Sequence, residues 1–241
     1  MVFRISLTIF LSTLLLACNL SNQSTEAESS YPKVEVVGAM KNVMWKGELA
    51  GVIALDTITS KSGLYGLGPE SGLTGEILIN NGRSYLSKVL SDSSMEVKKS
   101  FDSSAPFFVY SNVNEWQEIA LPPQVKGIKE LEEFIESKAT STKSPFVFKL
   151  KGEVVSAAIH IQNLPPGSKV SSPQEAHQGQ VNYDLIEEAV EIVGFFSKEH
   201  QGIFTHHDRY SHMHLITQDE SKMGHLDEVV LKVMSFFLPK K

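Results

Sequence analysis

Ser211-His212-Met213-His214-Leu215-Ile216, followed by Met223-Gly224-His225, holds the residues of this chain best suited to chemistry. The pattern is H-x-H, then ten residues, then H. Histidines two apart share one face of a strand, because strand side chains alternate. Leu215, Ile216 and Thr217 suit a strand, and Val229-Val230-Leu231 suits its return. Between them Gln218-Asp219-Glu220-Ser221-Lys222 is polar and turn-like. An antiparallel return could bring His225 across from the pair, so that His212, His214 and His225 converge. Three imidazoles and an open fourth position describe a catalytic zinc site; structural zinc sites are closed by four ligands, usually cysteine-rich. Six of the eight histidines lie between His200 and His225. A solvated polar loop or a set of ordinary surface histidines would show the same density. His200, His206, His207 and Asp208 suit partners that orient such ligands, or weak metal-capture sites of their own.

The N-terminus carries a different signal. Arg4 precedes an apolar run from Ile5 to Leu16, and Leu15-Leu16-Ala17-Cys18 has the form of a bacterial lipobox. The run is short for a membrane span and suits a signal peptide. Residues 1–18 are therefore expected to be a lipoprotein signal, with Cys18 the lipidated residue; a plain cleaved signal is the alternative. Residues 19–32, rich in Ser, Asn and Glu, suit a flexible tether. Cys18 is the only cysteine, so no disulfide forms within the chain. The expected location is the cell envelope, on the periplasmic or surface side, with the membrane reached through the lipid alone. Formal charge is −6 without a basic run, which argues against a surface that tracks nucleic-acid phosphates.

These residues need a frame. Val34 to Val37, Gly51 to Ile58 and Phe107 to Tyr110 have β character. Glu76 to Asn80, Asn81-Gly82, then Arg83 to Leu86 predicts a hairpin with a type I′ turn. Lys129 to Lys138 predicts a helix through Leu131, Phe134 and Ile135. Pro145 to Ile161 is apolar, with Gly152 expected to mark a hairpin turn inside it. Tyr183 to Phe196 fits either a helical stripe or strands. The total is α+β: mixed β-sheets with few helices. Residues 33–241 are expected to form one domain, in halves of about 33–140 and 141–241.

Several segments together resemble the 2-acetolactate decarboxylase family. They are Gly66-Leu67-Gly68-Pro69-Glu70-Ser71-Gly72-Leu73-Thr74-Gly75-Glu76, Val193-Gly194-Phe195, His212-Met213-His214 and Gly224-His225. The resemblance runs from about Gly51 to Leu231. It implies two related halves, strands over Tyr183 to Phe196, one zinc held by His212, His214 and His225, and Glu76 as the proton-exchanging group. It also carries the expectation of a homodimer. The family usually has threonine at Pro69, and an arginine for the substrate carboxylate where spacing from Gly152 puts His160. The family's late glutamate, supplied by a C-terminal tail, has no counterpart before Lys241. The implied activity is a metal-dependent carboxy-lyase converting the small molecule 2-acetolactate to acetoin, weakened or altered at the carboxylate subsite, since imidazole lacks the fixed charge and fork of guanidinium. The same triad would suit hydrolysis of a small ester, or a zinc-binding surface lipoprotein without turnover. Glu76 on the solvent side of its hairpin and His160 as a strand histidine without function are the plain alternatives for those two residues.

Overall fold

The computed structural model of the chain describes residues 31–139 and 144–240. Cys18, the signal and most of the tether lie outside them. Fourteen strands occur among the described residues: β1 (Val34–Gly38), β2 (Ile53–Ala54), β3 (Leu64–Pro69), β4 (Glu76–Asn80), β5 (Arg83–Ser91), β6 (Ser94–Lys99), β7 (Ser104–Ala105), β8 (Phe107–Asn112), β9 (Trp116–Ala120), β10 (Phe146–Ile161), β11 (Val181–Ile186), β12 (Ala189–Phe196), β13 (Ser211–Thr217) and β14 (Met223–Pro239). The helices α1 (Met40–Lys46), α2 (Ile128–Lys138) and α3 (Pro173–Ala176) complete the α+β, strand-rich body expected from the sequence.

One six-stranded sheet has the order β1-β8-β3-β4-β5-β6, the other β11-β10-β12-β13-β14-β9. A further ladder between β10 and β14 closes β10, β12, β13 and β14 into a ring. The ladders between these strands run antiparallel, which resolves the mixed sheets anticipated from sequence. In the β4–β5, β5–β6 and β13–β14 pairs the short hairpin connections permit only that direction. The sheets correspond broadly to the two halves, except that β9 precedes the proposed boundary and pairs with β14.

The β4–β5 hairpin forms as expected: Asn81 and Gly82 have φ of 49° and 77°, the signature of a type I′ turn. In α2, Leu131, Phe134 and Ile135 are buried, and the Glu130 carboxylate accepts from the Gly127 N–H at 2.9 Å. Phe134 meets Phe236 edge-on at 5.5 Å, which seats the helix on β14. Tyr183 to Phe196 resolves into β11 and β12.

Two expectations are corrected. Gly51 to Ile58 yields only the two-residue β2, followed by a 3-10 turn over Leu55–Thr57. Gly152 is not a hairpin turn: β10 passes straight through it, pairing with Val190 on one side and Met234 on the other. A Cβ there would sit 2.0 Å from the Val233 carbonyl oxygen. Glycine marks a close strand approach in this case, a signal that sequence does not separate from a turn.

Alternation along the strands sets up the space between the sheets. Leu78 on β4, Val193 and Phe195 on β12, Ile216 on β13 and Met223 on β14 meet in one buried cluster with Tyr65, Leu67 and Val109. Met213 and Leu215 point the other way, into the core of the second sheet with Phe148, Ile159 and Phe236. Glu76 shares its face with Leu78, His212 and His214 share theirs with Ile216, and His225 shares its face with Met223. All four are thereby aimed into the inter-sheet space.

Gly224 allows β14 to close on β10 at this level, since a Cβ would lie 2.6 Å from the His160 carbonyl oxygen. Gly224→Ala is expected to cost about 1–3 kcal/mol, the usual scale of overpacking. Denaturant unfolding of the two proteins checks this, and an unchanged midpoint would contradict it.

Candidate metal centre

His214 and His225 are direct partners across the β13–β14 ladder, and His160 on β10 is the partner of His225 on its other side. His212, two residues before His214, completes the group. Each of His212, His214 and His225 offers a ring nitrogen, and the three nitrogens lie within 4.8 Å of one another. The rings are 4.8 to 5.5 Å apart by centroid. All three residues are buried.

Two observations fit this trio to a metal. Nδ1 of His212 and both ring nitrogens of His214 are buried without a well-formed hydrogen bond, although the Phe204 and Ile77 backbones act on the two rings. Buried polar atoms seldom stay unpaired without a reason such as an ion. Burial also drives the imidazoles toward the neutral form that ligates metals. The pKa of His214 falls to about 3, chiefly through burial and then through His160. His212 and His225 are pushed well below the ordinary value, again by burial first and then by neighbouring histidines.

Glu76 is buried beside them at 3% exposure, against the expectation for a solvent-facing hairpin glutamate. Its Oε1 accepts from the Gln162 N–H at 3.3 Å, and its Oε2 lies 3.6 Å from Nε2 of His214, too far for a hydrogen bond. Burial lifts its pKa well above the ordinary 4.5; the Gln162 bond acts against this, while Asp227 and Glu70 add to it. Burial thus disfavours charge on the carboxyl and on the imidazoles alike.

His160 is buried too, and its Nδ1 sits 2.8 and 2.9 Å from the two oxygens of Asp227. Its Nε2 is 3.5 Å from the Gln162 amide nitrogen. Asp227 is the extra residue of a β-bulge, because Leu226 pairs with Ile159 and Glu228 with Ala158. Bulges re-aim side chains in this way beside functional sites. His160, His225 and Asp227 form a second trio with the geometry to hold a metal.

A small pocket joins these groups: Glu76, His160, Gln162, His212 and His225 line it, with Pro69, Met40, Met44, His177 and His206. Sequence reasoning missed Gln162, His177 and Asp227. Asp227 had a signal, since it stands two residues beyond His225; His177 follows α3 in a connection with no periodicity to place it. His206 joins the pocket, 5.4 Å from the His225 ring. His207 and Asp208 line cavities alongside it. His200 does not take part: it bonds the Ser197 hydroxyl at 2.7 Å and stacks on Phe204.

The depressed histidine pKa values fix a sign for stability in metal-free protein. Unfolded histidines take up protons near 6.5, whereas the buried three resist them. The unfolded chain therefore binds more protons as pH falls below that value, and stability drops. Glu76 acts oppositely, since its raised pKa contributes stability at low pH that is lost as pH rises, but it is one group against three. With a chelator present, the melting temperature should be lower at pH 5 than at pH 7. The His212→Ala/His214→Ala double variant should show a shallower change. A higher melting temperature at pH 5 would contradict the burial argument.

A family model described as alpha-acetolactate decarboxylase matches residues 37–238. No curated protein matches the sequence. Among solved structures, alpha-acetolactate decarboxylase from Bacillus subtilis strain 168 is similar at a TM-score of 0.70 and 20% identity, covering 86% of this chain and 85% of that one. Acetolactate decarboxylase from Bacillus subtilis subspecies spizizenii gives 0.69 and 21%, covering 86% of each chain. A Staphylococcus aureus protein of unknown function, described as similar to alpha-acetolactate decarboxylase, gives 0.70 and 16%, covering 86% and 85%. The TM-scores show a shared fold. The family match spans most of the chain and includes Glu76, His160 and all three triad histidines: the chain belongs to the alpha-acetolactate decarboxylase family.

Proposed function

We propose that this protein decarboxylates 2-acetolactate or a close relative, with zinc held by His212, His214 and His225. The observation that carries the reading is the buried Glu76 carboxyl beside a trio of converging imidazoles, 3.6 Å from His214 and in one pocket with His212 and His225. Zinc at the triad would supply Lewis-acid stabilisation of the negative charge that develops as CO₂ leaves. The remaining work falls to the chain. Glu76 is kept protonated by burial, so it can give a proton to the carbon that loses CO₂ and regain one from solvent. Its second oxygen is steadied by the Gln162 N–H. Met40, Met44, Leu73 and Phe107 give the pocket an apolar wall beside the reacting carbon.

The carboxylate subsite departs from a guanidinium clamp. His160 is tied to Asp227, whose carboxylate stands where it would repel a substrate carboxylate. Weak hold on a substrate carboxylate follows. The same pair favours a second reading, hydrolysis of a small ester. A carboxylate on Nδ1 orients a histidine so that Nε2 can act as general base, and here His160 lines the pocket with Asp227 on its Nδ1.

Location and anchoring rest on sequence: Leu15-Leu16-Ala17-Cys18 supports export and lipidation at Cys18. Intact-mass analysis of the mature N-terminus should find a diacylated or triacylated Cys18, and an unmodified end at another residue would refute it.

Protein beginning at residue 31 should carry about one zinc, as a single three-ligand site requires, and the His212→Ala/His214→Ala variant should carry none. Glu76→Gln should keep its zinc while CO₂ release falls roughly a hundredfold, the common scale for a general acid. His160→Arg should lower KM for 2-acetolactate. No CO₂ from either the parent or His160→Arg, with zinc bound, would end the decarboxylase reading. Ester turnover in the same preparations would then support the hydrolase.

A further inference from the structure

Gln162 follows the last residue of β10 and lines the histidine pocket. Its main-chain N–H holds Glu76, a contact that any side chain would leave in place. The Gln162 side chain is 4% exposed, and its Oε1 is buried with no hydrogen-bond partner. An amide oxygen left in this state costs stability, so such atoms are scarce unless a ligand supplies the missing partner. The imidazole trio is the better seat for zinc, since amide oxygens suit harder cations. The partner that Oε1 lacks is then an O–H or N–H donor.

The neighbours of Gln162 fix which end of its amide is the oxygen. The Gln180 amide donates to Asn182 Oδ1 at 2.9 Å, which leaves Gln180 Oε1 to accept from Gln162 Nε2 at 3.4 Å. On the other side Nδ1 of His160 donates to the Asp227 carboxylate, so Nε2 is the acceptor of that ring. Gln162 Nε2 lies 3.5 Å from it. Both neighbours present acceptors, both amide hydrogens of Gln162 turn toward them, and Oε1 is left over. The run Asp227, His160, Gln162, Gln180, Asn182 therefore reads in one direction and ends in an unused acceptor at the pocket.

We propose that Gln162 recognises the 2-hydroxyl group of the substrate, with Oε1 accepting the hydrogen bond. In 2-acetolactate the carboxylate and the ketone only accept, and the hydroxyl is the single donor. A site built around a buried acceptor rejects an analogue without the hydroxyl, because the acceptor then stays unpaired. Placing this hydroxyl on a 2-hydroxy-3-keto acid rests on the decarboxylase reading; the acceptor rests on the buried oxygen and its neighbours.

The test compares two unreactive acids, 2-hydroxy-2-methylbutanoate and 2,2-dimethylbutanoate. Both lack the 3-keto group, and they differ only in a hydroxyl exchanged for a methyl. Calorimetry on zinc-loaded protein should show tighter binding of the hydroxy acid. Zinc contributes to that preference in parent and variant alike, so the change in the affinity ratio isolates the side chain. Gln162→Met keeps the length and removes the acceptor; it should shrink the ratio roughly tenfold, the scale of a buried acceptor left unpaired. Gln180→Leu keeps Gln162 but removes the group that holds its amide; it should shrink the ratio by less, and it serves if Gln162→Met does not fold. Equal binding of the two acids by the parent, no binding of either, or an unaltered ratio in a folded Gln162→Met or Gln180→Leu variant overturns the proposal even if 2-acetolactate is turned over. A ratio that depends on Gln162, in protein that releases no CO₂ from 2-acetolactate, supports the hydroxyl acceptor and overturns the decarboxylase reading alone.

Discussion

Strand register at one level of the second sheet is the constraint on which this molecule depends. His225 is paired with His214 on one side and with His160 on the other. Side chains alternate along a strand, so a slip of one residue in β14 would turn His225 into the apolar core and bring Leu226 or Gly224 into the pocket. Apolar packing holds the register on both faces. Met223 and Ile216 pack toward the first sheet, while Leu226, Leu215 and Met213 pack into the second. The tight turn after Thr217 adds a local lock, with its hydroxyl donating to the Asp219 carboxylate at 2.6 Å and the Thr217 N–H to the Lys222 carbonyl at 3.0 Å.

Burial then gives the site its character. Water is excluded, and each titratable group responds by shedding charge: the imidazoles move down and the Glu76 carboxyl moves up. The outcome is a cluster in which charge is disfavoured on every one of these four groups, with ring nitrogens of His212 and His214 lacking a well-formed hydrogen bond. Such atoms cost stability in an empty protein. A bound cation would remove that cost and also restore a positive charge against which Glu76 could exchange its proton. The same burial therefore serves both ligand readiness and acid chemistry. His160 differs from the trio in its partner, the Asp227 carboxylate on Nδ1.

Much of this was legible in the chain. Strand alternation predicted that His212 and His214 share a face, and the polar segment before Met223 predicted the return that delivers His225. Asn81-Gly82 gave its hairpin, and the Leu131, Phe134, Ile135 stripe gave its helix. These features depend on local pattern, which sequence records directly. The failures depended on contacts between distant segments. Gly152 reads as a turn until Val233 and Met234 are known to press against it. Asp227 stands two residues beyond His225, but its partner His160 emerges only when the β10–β14 ladder and its bulge are known. Met40, Met44 and His177 enter the site only because α1 and α3 pack over the space between the sheets, a placement with no periodic signature.

The central claim is that three buried histidines, and no carboxylate, hold one metal beside a protonated glutamate. X-ray absorption at the zinc edge of the protein purified from residue 31 onward tests it most directly. The account predicts one zinc per chain whose spectrum carries the multiple-scattering pattern of three imidazoles, unchanged in Glu76→Gln and in Asp227→Asn. Loss or weakening of that pattern in either variant, or a spectrum with two imidazoles and a carboxylate as the trio of His160, His225 and Asp227 would give, would contradict it.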